Sequence, residues 1–109
     1  MSTAEPNVLR QVAAEDRRLR ILQALEWSNG YMSNSALLKE LLKTVGHVTS
    51  AHVLAAELAW LEDVELIRLT RQEAFSVVRL TTAGLDVVED ARQLPGVARP
   101  DPEGSPFRR

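Results

Sequence analysis

The apolar residues change their repeat part-way along the chain, and that change limits the fold more than any other feature. Up to Val64 they recur every three or four residues, which lines one face of a helix. Residues 66–70 and 75–80 are instead rich in apolar and β-branched side chains at a period of two, the pattern of strands. Only the polar Arg71, Gln72 and Glu73 lie near the middle, so the two runs read as one hairpin. Helical spacing then returns. A chain with this pattern has to bury a hairpin against helices, which makes it mainly α with a small β part (α+β).

Local signals set the boundaries. Val8, Leu9, Val12 and Ala13, then Leu19, Ile21, Leu22 and Leu25, predict a helix over residues 6–28. Asp16, Arg17 and Arg18 interrupt its stripe and mark either a bend or a short helical arm. Asn29-Gly30 ends it, because both residues tolerate the left-handed conformation of a helix C-terminus. Ser33 or Asn34 caps a second helix bearing Leu37, Leu38, Leu41, Leu42 and Val45, closed by Gly46. Thr49 or Ser50 caps a third, to about residue 64, with Val53, Leu54, Leu58, Leu61 and Val64 inward and Trp60 at one edge. Thr81 or Thr82 caps a last helix through residue 93, with Leu85, Val88 and also Val87 as inward candidates. The expected order is α-α-α-β-β-α, a single domain over residues 1–93. Residues 94–109 hold four of the five prolines and two of the five glycines, and are expected to form a flexible tail.

Composition excludes whole classes of function. At 109 residues there is room for one core. A net charge of −2 excludes a uniformly basic surface, so any contact with nucleic acid has to come from local clustering. The absence of cysteine removes disulfides, thiolate metal sites and thiol nucleophiles, and suits a reducing cytoplasm. Residues 44–56, the longest run without Asp, Glu, Lys or Arg, are too few to span a bilayer. Arg10, Glu15, Asp16 and Arg17 stand where an export signal would be apolar. A soluble cytoplasmic protein without membrane contact is expected.

Catalytic constellations are missing. His47, His52 and Glu57 follow at five-residue steps, unlike any helical metal-ligand spacing, so neither metal nor cofactor is expected. Asp86, Glu89 and Asp90 read as a solvated helix face, and the serines lie in no nucleophile motif. Trp27 and Trp60 sit at helical spacing from apolar neighbours, which favours packing over ligand stacking. No enzyme is expected.

Three segments carry a resemblance. Arg20-Ile21-Leu22-Gln23-Ala24-Leu25 resembles the first-helix segment of bacterial ArsR- and MarR-type regulators. Leu58-Ala59-Trp60-Leu61-Glu62-Asp63-Val64-Glu65-Leu66-Ile67 resembles the end of their third helix running into the first wing strand. Leu80-Thr81-Thr82-Ala83-Gly84 is similar to the motif that follows their second wing strand. With the proline-rich end, the combination most resembles small ArsR-like proteins of Mu-like prophages, over roughly residues 16–100.

That resemblance implies a winged helix-turn-helix and a DNA-binding transcriptional regulator with its third helix in the major groove. By position it assigns Ser50, His52 and Ala55 to the base edges. Arg68, Arg71 and Arg79 on the hairpin, with Arg17 and Arg18 on the first helix, fall to phosphates of double-stranded DNA. A homodimer is expected, built from Val8, Leu9 and Val12 together with Val87 and Val88. The sequence departs from the pattern in one respect. No Lys or Arg occurs between Thr44 and Ile67, whereas Glu57, Glu62, Asp63 and Glu65 do. The competing reading is a winged-helix adaptor that docks its alanine-rich third helix on another protein and leaves DNA alone.

Overall fold

The computed structural model describes residues 6–108. Residues 1–5, counted above with the domain, and Arg109, counted with the tail, lie outside the described residues. Helix α1 (Pro6–Trp27) runs unbroken for 22 residues, straight through Asp16, Arg17 and Arg18 in sequence, so they set off no separate arm. Gly30 (φ 68°) and Tyr31 (φ 58°) then turn the chain through the left-handed region, and β1 (Met32–Asn34) follows. The side chain of Asn34 accepts the Leu37 N–H at 2.8 Å and so caps α2 (Ser35–Thr44). Ser50 does the same for α3 (Ala51–Asp63), through Val53 at 3.1 Å. Strands β2 (Ile67–Arg71) and β3 (Ser76–Leu80) form the hairpin, and Thr81 caps α4 (Thr82–Val88).

The element order departs from α-α-α-β-β-α, because β1 stands between the first two helices. The sheet is antiparallel in the order β1-β3-β2. Residues 32–34 have too few positions to show a period, and pairing with β3 is what makes them a strand: Met32 lies opposite Arg79 and Ser33 opposite Val78. In the hairpin Leu69 faces Val78, which places Arg68 directly opposite Arg79.

One core holds the elements together. It includes Leu19, Leu22, Leu25, Leu38, Leu58, Leu61, Ile67, Val78 and Leu80, with Leu41 packed at its edge. The core face of α3 agrees with the expected one at Leu54, Leu58 and Leu61, gains Glu57 and loses Val53. Leu54, Glu57, Leu58 and Leu61 point inward, while Val53 is 38% exposed and Val64 is half-buried. Helix α4 ends at Val88, five residues before the expected boundary, and Asp90 (φ 59°) carries the chain away in the left-handed conformation. Val87 and Val88 are both buried in this core, so they offer nothing to a second copy. At the start of α4, Gly84 lies so close to the Leu66 carbonyl that an added Cβ would stand 2.2 Å from its oxygen.

The tail is fastened to the body along its length. Val97 is buried in the core, and the Ala98 N–H donates to the Glu15 carbonyl of α1 at 3.2 Å. The Phe107 ring lies 6.4 Å from that of Trp27, and Arg108 pairs with Glu26 at 2.6 Å. Proline and glycine shape the path, but two apolar anchors and two arginines hold it, and composition does not register so few residues. Asp90 and Arg99 add an exposed pair at 2.8 Å, and the hydrogen bond from Arg99 holds the Asp90 carboxyl below its usual range.

Candidate functional site

The exposed side of α3 is small and almost uncharged. Ala51, His52, Ala55, Ala56 and Ala59 all face solvent, four of them without a side chain beyond Cβ. Leu54, Leu58 and Leu61 anchor the opposite side, so the outer face is free of any packing duty. Ser50, His52 and Ala55 therefore stand together on the exposed side of the helix. The Ser50 oxygen already accepts a backbone N–H as the helix cap.

Arg17 and Arg18 flank this face from α1, but they are not free cations. Both reach Glu57, which is only 5% exposed. Arg17 Nε and Nη2 donate to its Oε2 at 2.8 Å, and Arg18 Nε donates to Oε1 at 2.8 Å. The Arg18 guanidinium also lies 4.1 Å over the centre of the Trp60 ring and donates through Nη1 to the Gly96 carbonyl at 2.9 Å. A buried carboxylate is tolerable only when paired and hydrogen-bonded, and two guanidiniums meet that demand. Glu57 is thus a strut between α1 and α3, and it adds no negative charge to the outer surface. The remaining carboxylates gather at the far end of the helix. Glu62 there pairs with Arg71 at 3.3 Å.

On its other side the α3 face borders a groove of about 510 Å³, with Lys39 of α2 and Arg71 of the hairpin on its walls and Leu54, Leu58 and Phe75 beneath. Arg68 and Arg79 lie elsewhere. Their register puts them with Met32 on the sheet face opposite the one that buries Ile67, Val78 and Leu80. The structure therefore gathers Ser50, His52, Ala55, Arg17, Arg18 and Arg71 around α3 and leaves Arg68 and Arg79 on the outside of the sheet. The two opposed arginines have no carboxylate within pairing distance among the described residues, and only the Met32 sulfur lies 3.9 Å from Arg79 Nη2.

The other histidine, His47, does a structural job that its sequence position conceals. Its Nε2 lies 2.7 Å from Asp16 Oδ2, which ties the loop before α3 to α1, and Arg20 approaches the same carboxylate at 3.4 Å. Among the described residues no three His, Asp or Glu side chains converge as metal ligands. None of the described helices is long and apolar enough to cross a membrane.

Comparison with known proteins gives one clear relationship. Over 95 residues the chain is 35% identical to uncharacterized protein gp26 of Escherichia phage Mu, an alignment covering 87% of this chain and 98% of gp26. The chain belongs to the phage Mu gp26 family. No protein-family model matches it. The alignment takes in gp26 almost end to end, so the relationship extends across a whole chain and is not confined to one motif.

Proposed function

We propose that this gp26-family chain is a winged helix of the ArsR/MarR kind that binds duplex DNA as a cytoplasmic transcriptional regulator, two copies to a palindromic site. The observation that carries the reading is the uncharged, small-residue face of α3, with Lys39 and Arg71 beside it. Such a face can approach base edges closely, and its alanines suit thymine methyls. The strand between the first two helices and the sheet order β1-β3-β2 support a wing. In this reading His52 and Ala55 stand at the base edges, and Arg71 and Lys39 take phosphates. Arg68 and Arg79 offer a second strip to the backbone, where a phosphate between them would relieve their like charge. Arg17 and Arg18 have no phosphate role, because Glu57 holds them.

With no cation on the α3 face, specificity rests on groove shape and methyl contacts more than on paired hydrogen bonds to guanine. The test is selection of bound sequences from a random duplex pool, followed by titration at two salt concentrations. Enrichment of a palindrome is expected. Lys39→Ala with Arg71→Ala should weaken all duplexes alike and flatten the log–log salt slope by about 0.9 per lost phosphate contact. If nothing is enriched and micromolar protein shifts no duplex at about 50 mM salt, the adaptor reading replaces this one.

A further inference from the structure

A cleft of about 790 Å³ opens between α1, the end of α4 and residues 99–108 of the tail. Gln23 stands in its wall and is 1% exposed. Its Oε1 accepts from Arg20 Nη1 at 2.9 Å, whereas its Nε2 meets no acceptor among the described residues. That nitrogen is not sealed off either, because among them the Ser33 hydroxyl is the one side-chain atom closed from solvent without a partner. Gln23 therefore turns its open N–H donors to the cleft, and a donor held at such depth costs free energy until something accepts from it. The charges around the cleft mostly cancel. Asp90 pairs with Arg99 at 2.8 Å and Glu26 with Arg108 at 2.6 Å. Glu89 and Asp101 are left over, with no cation in pairing distance among the described residues. The Asp101 Oδ1 takes only the N–H of Glu103, at 2.9 Å. Val88, Pro100 and Pro102 supply an aliphatic part of the lining.

We infer that this cleft binds a small aliphatic amine that carries a neutral acceptor, such as an amide carbonyl, at its other end. The carbonyl takes the Gln23 N–H groups, the methylene stem lies on Val88 and the prolines, and the ammonium turns to Glu89 and Asp101. Each part of the lining turns a rival away. The two unpaired carboxylates repel an anion. A metal ion needs converging ligands, and no three His, Asp or Glu side chains converge among the described residues. A wholly apolar molecule would leave Gln23 without an acceptor and take water from two carboxylates. The volume lies in the range of small-molecule sites, about 300–1,000 Å³. None of the residues lining the cleft belongs to α3 or to the sheet, so this site is independent of the proposed duplex contacts.

The probe is 6-aminohexanamide, titrated into the full-length ¹⁵N-labelled protein at low salt and followed by NMR. The side-chain amide signals of Gln23 and the backbone amides of Glu89 and Asp101 should shift together, with a millimolar dissociation constant, the range open to so few atoms. Hexylamine lacks the acceptor and hexanamide lacks the charge, and each should bind about fivefold more weakly. Glu89→Gln combined with Asp101→Asn, both at exposed positions, should weaken 6-aminohexanamide about fivefold and leave the thermal midpoint in place. Gln23→Leu should lower 6-aminohexanamide to the affinity of hexylamine while hexylamine binds as before, a loss of selectivity that a purely structural role would not produce. Absence of any shift at about 20 mM probe overturns the inference. So does equal binding of the three compounds by the unaltered protein, or binding that is indifferent to the exchange of Glu89 and Asp101.

Discussion

Glu57→Gln removes the negative charge from the strut between α1 and α3 and leaves two guanidiniums facing a neutral amide. Taking one partner from a buried ion pair costs about 3–5 kcal/mol, because the charge left behind is uncompensated. Here the arginine side chains are 19% and 18% exposed, so each can turn partly to water, and the amide oxygen still accepts one hydrogen bond. The expected loss is therefore about 2–4 kcal/mol, somewhat below that range. For a domain of this size each kcal/mol lowers the midpoint by about 4–8 °C, so a fall of about 10–25 °C should be visible by calorimetry. Urea unfolding followed by tryptophan fluorescence gives the free energy directly, and Trp60 beneath Arg18 should report the loosened strut. The control is Glu62→Gln at the exposed pair with Arg71, where about 0.5 kcal/mol or less is expected. If Glu57→Gln costs no more than that control, Glu57 is not a buried strut.

Three further outcomes follow from the packing. Gly84→Ala should cost about 2–3 kcal/mol in denaturant unfolding, because the new methyl meets the Leu66 carbonyl and the Leu80 side chain before anything can yield. Ending the chain after Gln93 should cost about 2–3 kcal/mol through the lost burial of Val97 alone, and hydrogen exchange should then quicken around Trp60 and Glu15. Asp90 has its folded pKa depressed, so its contribution to holding the tail is complete above the unfolded carboxylate value. It is lost as pH falls through the lower folded one, and a side-chain NMR titration of Asp90 should run lower in the folded protein than in the unfolded chain.

Much of this architecture could be read from residue spacing, and the exceptions have physical reasons. The change of period marked the hairpin, whereas the register that opposes Arg68 and Arg79 comes from the pairing of the two strands. Capping chemistry narrowed the starts of α2, α3 and α4 to two residues each, and Asn34, Ser50 and Thr81 are the ones that cap. On the inward face of α3 the difference is confined to Val53 and Glu57, because hydrophobicity favours a valine over a carboxylate. The usable signal was a lone carboxylate at i+3 between Leu54 and Leu58, with adjacent arginines on an earlier helix able to neutralise it. Strand β1 left no local mark, since it exists through its partner. Around α3, the resemblance named Ser50, His52 and Ala55, and all three are exposed. It could not tell which arginines were free, because partners 39 or 40 residues away decide that for Arg17 and Arg18.

The division of α3 into two faces bears on how proteins of this kind diverge. Exchanging Ala55, Ala56 or Ala59 for another helix-forming residue removes no buried contact, so such changes should fall within about ±0.5 kcal/mol of neutral. On the inward face, Glu57 and Leu58 are buried, and substitutions there should cost several kcal/mol. A lineage can thus rewrite what this helix touches, one substitution at a time, while its stability stays level. The outer surface of this helix can drift far faster than the fold that carries it.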